Sequence, residues 1–340
     1  MTGFIADYGL FLLKTATFVV AIVVVIGVIA SAGRKAADQE GLEIEDLNRK
    51  YQSLASALKQ AVMNKADWKK EMKAEKARDK ADAKAEESPP RAFVIEFKGD
   101  LKASAVPSLR EEVSALLEVA TSDDQVIICL ENYGGVVHEH GLAASQLVRI
   151  RDREIPLTVV VDKVAASGGY LMACVANKIL AAPFAILGSI GVVAQIPNFN
   201  RLMDERGIEF EQVTAGKHKR NVTMFGKNTD EDRAKLKEEL EDVHALFKDA
   251  VTRYRPDLDI EAIATGEHWY GSRALEMGLA DEIKTSDELL AELVQDHDLF
   301  RLSYKIKVPL QKRLLSGADA ALERLESSGW RRRFESRLPR

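Results

Sequence analysis

Cysteine is scarce in this chain of 340 residues: only Cys129 and Cys174 are present, and both lie in apolar or small-residue stretches. Cysteines in such surroundings are typical of small buried hydrophobic side chains. Two of them, so placed, argue against a disulfide framework and against a cysteine-based zinc site.

An excess of charge of one sign is also missing, since the formal net charge is only −5. A balance this mild gives no reason to expect nucleic acid as a partner. The average conceals a split, because residues 1–33 are almost all apolar whereas residues 34–88 are highly charged. The length suffices for two domains, or for one large domain with appendages.

Charge is absent altogether from residues 15–33, a run of 19. That is close to the roughly 20 residues that a helix needs to cross a bilayer, so we expect an N-terminal membrane anchor over residues 1–35. Ala30-Ser31-Ala32 also fits the cleavage site of a secretory signal peptide, but the apolar core is long and its preceding segment is not clearly basic. Arg34 and Lys35 favour a cytoplasmic location for the residues that follow.

Residues 36–90 are predicted to be a charged helical stalk or linker. Apolar and long side chains recur there at alternating spacings of four and three, which is an a/d heptad stripe. The stripe consists of Leu47, Tyr51, Leu54, Leu58, Ala61, Lys65, Trp68 and Met72. It predicts either a stalk that pairs with a neighbour or one amphipathic helix that rests on the domain or the membrane. Residues 73–87 lack a core to bury, and Ser88-Pro89-Pro90 marks a boundary.

Residues 91–300 are predicted to form an α/β domain, followed by a helical, basic C-terminal tail over residues 301–340. Alternating segments argue for right-handed βαβ crossovers around a largely parallel sheet. The predicted strands are residues 93–97, 126–130, 157–161 and 178–182, and the predicted helices are residues 108–121, 138–151, 171–177 and 230–254.

Two glycine-rich corners directly follow predicted strands: Tyr133-Gly134-Gly135 and Ser167-Gly168-Gly169. In a parallel sheet both lie at the carboxyl edge, where α/β proteins bind ligands. Backbone N–H groups converging from such corners make an oxyanion hole, and a serine beside them suits acyl transfer. The alternative is that Ser167 only caps a helix and the glycines only permit a tight turn.

A general base is harder to find. His138 and His140 are two apart, so they cannot share a helix face. The other four histidines have no convincing carboxylate partner in the sequence: His218, His244, His268 and His297. A lysine can serve instead if burial lowers its pKa, although a lysine in the basic stretch around Lys219 could equally be solvated.

Six short motifs, in this order, resemble the signal peptide peptidase A family of membrane-anchored Ser/Lys peptidases, most closely its SohB-like branch. The resemblance covers about residues 93–283. The motifs are Asn132-Tyr133-Gly134-Gly135, Ala166-Ser167-Gly168-Gly169-Tyr170, Gly188-Ser189-Ile190-Gly191-Val192, Ala215-Gly216-Lys217-His218-Lys219, Gly271-Ser272-Arg273-Ala274-Leu275 and Gly278-Leu279-Ala280-Asp281.

The resemblance implies specific roles for residues of this chain. Ser167 would be the nucleophile and Lys219 the general base, with Ser189 orienting that lysine. The N–H groups of Gly134 and Gly168 would form the oxyanion hole.

The resemblance also implies a fold and a setting. The fold would be the ClpP/crotonase type, a spiral of ββα units, assembled into a dome-like homo-oligomeric ring. The chain would cross the bacterial inner membrane once and place its catalytic domain in the periplasm, and we follow the family here rather than the charges near Arg34. Tyr133 stands where many relatives have Ser-Pro, which affects the expected shape of the pocket.

The predicted function is that of a membrane-anchored serine endopeptidase. Its partners would be membrane lipid and unfolded or hydrophobic peptides, such as signal peptides or membrane-protein fragments, and no metal, ATP or other cofactor is expected. Two alternatives remain at this point. One is a crotonase-type acyl-CoA enzyme that uses the same oxyanion hole, and the other is a non-catalytic membrane scaffold.

Overall fold

The computed structural model of the protein describes residues 9–11, 13–20, 40–82 and 89–306. Within these ranges, none of the helices combines the length and apolar character that a membrane crossing requires. Residues 13–20 are helical, but residues 21–35 of the predicted anchor lie outside the described part. The site is contained in the compact unit Leu42–Tyr304, to which the rest of this subsection refers.

A ten-stranded sheet forms the centre, with the strand order β1-β10-β2-β3-β4-β6-β9. The order branches at β3, which also pairs with β5, and the branch continues through β7 to β8. Neighbouring strands along β10-β2-β3-β4-β6-β9 are all parallel, and β5 is parallel to both β3 and β7. Strands β7 and β8 are antiparallel. The strands are β1 (Gly41–Asp46), β2 (Arg91–Gly99), β3 (Gln125–Asn132), β4 (Leu157–Val161), β5 (Val164–Ala166), β6 (Lys178–Ala181), β7 (Ile186–Gly188), β8 (His268–Tyr270), β9 (Glu282–Ile283) and β10 (Asp298–Lys305).

Helices occupy most of the connections between these strands. They are α1 (Leu47–Val62), α2 (Lys65–Asp82), α3 (Val106–Leu117), α4 (Val137–Arg151), α5 (Gly168–Ala173), α6 (Asn200–Asp204), α7 (Asp230–Tyr254), α8 (Ile260–Ile263), α9 (Gly271–Glu276) and α10 (Ser286–Leu293).

The central strands are buried on both faces, which is why they read as continuous apolar runs. Successive side chains of a strand point to opposite faces. Ile95 therefore joins the larger core, with Leu109 of α3 and Leu147 of α4, whereas Val94 joins a smaller core on the other face with Leu47 of α1.

The branch at β3 positions the site. Asn132, the last residue of β3, pairs with Ala165 of β5. The carboxyl ends of these two parallel strands consequently meet, and the chain leaves each of them through one of the two glycine corners. The sheet topology thus brings Gly134 next to Ser167.

Most of the predicted elements of this domain are confirmed. The predicted strand over residues 157–161 and the helix over residues 230–254 have the predicted bounds, but α5 begins at Gly168 rather than at residue 171. Residues 301–305, predicted as part of a helical tail, belong to strand β10, in which Arg301 and Leu302 pair with Val94 and Ile95 of β2. The remainder of that tail, from residue 307, lies outside the described residues.

The predicted stalk differs in detail from one continuous heptad helix. It begins with the unpredicted strand β1, and the helical part breaks at Met63 and Asn64 into α1 and α2. An ion pair of 2.6 Å between Lys59 and Glu71 joins the two helices. Leu47 packs in the smaller core, so the first position of the stripe is covered within the chain.

Candidate active site

Ser167 occupies the corner between β5 and α5 in a strained backbone conformation. Its φ is 54° and its ψ is −120°, a region that side chains other than that of glycine rarely occupy. The corner is held by the backbone, since the Ser167 N–H donates to the carbonyl of Gly188 at 2.8 Å. Non-glycine residues kept in such conformations cluster at functional sites.

Gly134 of the first corner lies directly against this serine. A methyl group on Gly134 would come within 2.7 Å of Ser167 Cβ and 2.8 Å of the amide nitrogen of Gly168. Its φ of 83° also favours glycine. The structure therefore brings the two glycine corners into contact, as the parallel-sheet argument predicts.

The N–H of Gly134 is already engaged, because it donates to Asn132 Oδ1 at 2.8 Å. In the described part of the chain, no acceptor takes the N–H of Gly135 or of Gly168. Of the two donors expected from the sequence, the Gly168 N–H is thus unengaged and the Gly134 N–H is not. Gly135, which lies at the same corner, carries the second unengaged N–H.

Ser167 and Ser189 line one cavity of about 570 Å³, together with Tyr133, Gly135 and His244. A second, smaller cavity of about 190 Å³ shares Ser167 and Gly135. Its walls are mostly apolar and include Leu171 of α5 and four side chains of α7, namely Val243, Leu246, Phe247 and Ala250. The nucleophile candidate therefore lies between a cavity of mixed polar and apolar lining and a mostly apolar one.

Lys219 lines neither of the two cavities that contain Ser167. It is exposed, it lies in the irregular segment between α6 and α7, and the described cavity around Ser167 does not include it. Its backbone N–H donates to the carbonyl of Gly216 at 3.2 Å. The neighbouring Lys217 forms an ion pair with Glu231 at 3.1 Å.

His244 lines the Ser167 cavity and was not singled out by the sequence pattern. Its Nε2 atom is inaccessible to solvent and has no hydrogen-bond partner among the described residues. A signal was present, because His244 lies four residues after Leu240 and three before Phe247, on the apolar side of the predicted helix. His244 was not chosen as the base because the sequence pattern gives it no convincing carboxylate partner.

Neither cysteine is suited to nucleophilic chemistry. Burial raises the pKa of the Cys129 thiol and of the Cys174 thiol to about 12 in each case. Both thiols are therefore protonated at neutral pH, whereas the thiolate is the nucleophile. Within the described ranges, no three His, Cys, Asp or Glu side chains are grouped as ligands of one metal ion.

The α/β fold carries a serine beside unengaged backbone N–H groups, an arrangement that suits acyl transfer. The chain belongs to peptidase family S49: its residues 3–147 match the model of the family's N-terminal region, and residues 149–299 match the model of the peptidase itself. The protein is accordingly a peptidase, which confirms the family resemblance of the motifs and replaces the acyl-CoA enzyme and scaffold alternatives.

Two sequence relatives agree with this assignment. The chain is 43% identical over 326 residues to the probable protease SohB of Haemophilus influenzae, covering 92% of each chain. It is 27% identical over 177 residues to a putative signal peptide peptidase SppA of Enterococcus faecium, covering 51% of each. Among solved structures, it is similar to a lysine-to-alanine mutant of the 1510-N membrane-bound stomatin-specific protease in complex with a substrate peptide. That similarity has a TM-score of 0.43 and 12% identity, covering 68% of this chain and 99% of the other.

Proposed function

We propose that this peptidase is a membrane-anchored serine endopeptidase in which Ser167 is the nucleophile and Lys219 the general base. The observation that carries the proposal is the strained corner at Ser167, which places a hydroxyl beside the unengaged N–H of Gly168 and at the wall of a cavity. We assign the branched parallel sheet to the ClpP/crotonase type that the family resemblance implies.

The proposed reaction is acyl transfer to serine followed by hydrolysis. Ser167 Oγ attacks the scissile carbonyl carbon while its proton passes to the neutral amine of Lys219, which Ser189 orients. The resulting oxyanion is held by the Gly168 N–H and, because Asn132 engages Gly134, by the Gly135 N–H. The lysine then returns the proton to the leaving amine, and a water molecule activated in the same way releases the acyl group.

We infer that Lys219 serves the Ser167 of a neighbouring subunit. Residues 192–228, here called the lysine segment, carry Lys219 and many exposed apolar side chains, with Val213 as much as 95% exposed. These side chains are Val193, Ile196, Phe199, Leu202, Ile208, Phe210, Val213, Met224 and Phe225. Exposed apolar surface of this extent marks interaction sites, so a ring of identical subunits would both cover the segment and deliver the lysine.

The proposed substrates are unfolded or hydrophobic peptides, such as signal peptides or membrane-protein fragments. The apolar cavity beside Ser167 suits an apolar side chain next to the scissile bond. An extended peptide can bind such a groove through main-chain hydrogen bonds. The uncharged run over residues 15–33 supports a single membrane anchor, with lipid as a partner. The family resemblance favours the bacterial inner membrane, with the catalytic domain in the periplasm.

Mixing two inactive variants tests both the dyad and its division between subunits. Ser167→Ala and Lys219→Ala should each lack turnover of a quenched fluorescent hydrophobic peptide. Reassembled from dissociated subunits, they should recover activity, since some sites then combine an intact serine with a neighbour's intact lysine. In a random mixture about a quarter of the sites are of this kind. If affinity tags verify that mixed rings have formed and no activity is recovered, the lysine acts on the serine of its own subunit.

A labelling experiment tests the nucleophile alone. A fluorophosphonate probe should modify the full-length protein and not Ser167→Ala, with Ser189→Ala as the matched serine variant that keeps the label. Wild-type turnover by Ser167→Ala would contradict the assignment.

A further inference from the structure

Two buried polar side chains, Asn132 and His140, lie between the two glycine corners, and the proposed reaction does not use either of them. Both have no accessible surface. Asn132 is the last residue of β3, and His140 lies in the first turn of α4. A buried polar group persists where its hydrogen bonds are made, so their partners indicate what the two side chains do.

Asn132 Oδ1 accepts two hydrogen bonds. One comes from the Gly134 N–H at 2.8 Å, and His140 Nε2 lies 3.1 Å from the same oxygen. Because the Gly134 N–H requires an acceptor, the Asn132 atom is the amide oxygen. His140 Nδ1 lies 2.9 Å from the carbonyl oxygen of Val136, so both ring nitrogens face an oxygen acceptor. We assign the ring hydrogen to Nε2, where it donates to Asn132. The His140 ring thereby fixes the Asn132 side chain, which in turn fixes the first glycine corner.

The same two residues also support the second corner. A methyl group on Gly168 would come within 2.5 Å of His140 Cγ, and one on Gly169 would come within 2.3 Å of the Asn132 carbonyl oxygen. The Ser167-Gly168-Gly169 backbone therefore rests directly on the His140 ring and on the Asn132 main chain. One buried pair contacts both peptide corners from which the oxyanion donors come.

We propose that Asn132 and His140 are a positioning pair that sets the geometry of the oxyanion-binding N–H groups. The hydrogen bond from the Gly134 N–H to Asn132 directs that N–H away from the substrate and leaves the Gly135 N–H at the cavity wall. Contact with the His140 ring fixes the position of the Gly168 backbone. The inference rests on the proposed function, because it assumes an oxyanion formed at Ser167. The pair does not touch the substrate, so its effect should fall on the transition state rather than on substrate binding.

The test compares kcat with KM in the full-length, detergent-solubilised enzyme. His140→Leu keeps the volume of the ring but removes the donor, and Asn132→Ala removes the shared acceptor. We expect each to lower kcat by at least tenfold, since loss of one oxyanion donor costs about 100- to 1,000-fold, and to leave KM within about threefold. His140→Gln, which returns an N–H to Asn132, should recover most of the kcat.

Two further measurements separate positioning from a general structural role. A peptide aldehyde, which forms a tetrahedral adduct with the serine hydroxyl, should lose affinity in His140→Leu by about the factor lost in kcat. The double variant should fall little further than either single one, because residues that act as a unit are not additive. His138→Leu, in the same helix with an 82% exposed side chain, is the control and should retain wild-type kinetics.

Three outcomes would overturn the positioning pair. They are wild-type kcat in both His140→Leu and Asn132→Ala, a loss confined to KM, or a His140→Gln variant as slow as His140→Leu. If His140→Leu does not fold, as judged by its thermal transition, Asn132→Ala and His140→Gln decide the matter. Failure of the proposed function looks different, since Ser167→Ala would then keep its turnover and the wild-type enzyme would not be labelled.

Discussion

Ser167 and Ser189 hold equivalent positions one residue beyond two paired strands. Ala166 of β5 is in register with Gly188 of β7, and the serine that follows each strand end has a φ of 54°. The Ser189 N–H donates to the carbonyl of Glu267 at 2.6 Å, just as the Ser167 N–H donates to Gly188. Two neighbouring strands thus present two hydroxyls to one cavity, both from strained corners.

The first prediction concerns Ser189. Ser189→Ala should lower kcat by about tenfold while KM changes little, because one hydrogen bond to the proposed base is worth about 1 kcal/mol or somewhat more. Steady-state kinetics on a hydrophobic peptide measures this, with Ser114→Ala, a half-buried serine of helix α3 outside the site, as control. A Ser189→Ala enzyme with unchanged kcat would remove Ser189 from the site.

The second prediction concerns Gly134. Gly134→Ala should abolish most activity and reduce the free energy of unfolding by about 1–3 kcal/mol, because the added methyl meets Ser167 Cβ and the backbone there is left-handed. Gly141→Ala is the matched change, since a methyl at Gly141 within helix α4 meets nothing within 4 Å. It should be neutral or stabilising by up to about 1 kcal/mol. Urea unfolding of both variants checks the difference in sign.

The third prediction separates the proposed base from the histidine in the cavity. Lys219→Ala and Lys219→Arg should both lack turnover, because a guanidinium does not lose its proton at accessible pH. Lys217→Ala should keep substantial activity, and so should His244→Ala. The reverse pattern, in which Lys219→Ala is active and His244→Ala is not, would replace the dyad with a histidine-based site.

The fold and the glycine corners could be predicted because they depend on local pattern. Apolar runs with the spacing of strands and helices gave elements such as Leu157–Val161 and Asp230–Tyr254, and the resemblance of short motifs indicated Ser167. The hydrogen bond from the Gly134 N–H to Asn132 Oδ1 could not be predicted, because it depends on the conformation of the Asn132 side chain at the end of β3. The contact of the His140 ring with Gly168 depends on tertiary packing between two elements, and the helical position of His244 does not by itself indicate that it lines the Ser167 cavity.

The fourth prediction concerns the ion pair between Arg255 and Asp281, the last residue of the Gly278-Leu279-Ala280-Asp281 motif. Burial alone would raise the pKa of the Asp281 carboxyl, but hydrogen bonds from Arg255 and from the Ile179 N–H outweigh it and hold that pKa below its usual value. Arg255 contacts Asp281 Oδ1 at 2.7 Å and Oδ2 at 2.8 Å. A depressed folded-state pKa means that this stabilisation is complete above the unfolded pKa of about 3.9 and is lost as the pH falls through the folded value.

Asp281→Asn should therefore destabilise the protein by about 1–3 kcal/mol at pH 7. The difference from wild type should begin to shrink as the pH falls below about 3.9, where the unfolded carboxyl takes up its proton, and should approach zero below the folded pKa, where the folded carboxyl is protonated too. Urea midpoints at pH 7 and at successively lower pH give the comparison. A deficit that stays constant with pH would show that the charge of Asp281 is not what stabilises the fold.

The last prediction distinguishes two leucines of the same heptad stripe. Leu47 is 0% exposed and packs in the smaller core beside Leu290, whereas Leu58 is 65% exposed on the next turns of helix α1. Leu47→Ala should lower the free energy of unfolding by about 2–5 kcal/mol, as core truncations do. Leu58→Ala should leave the stability of dilute, dissociated subunits nearly unchanged, because no core contact is lost.

If the exposed part of the stripe contacts a neighbouring subunit, Leu58→Ala should instead weaken assembly, which light scattering on the detergent-solubilised protein measures. If Leu58→Ala assembles with the same concentration dependence as the wild type, this part of the stripe does not lie in a subunit interface.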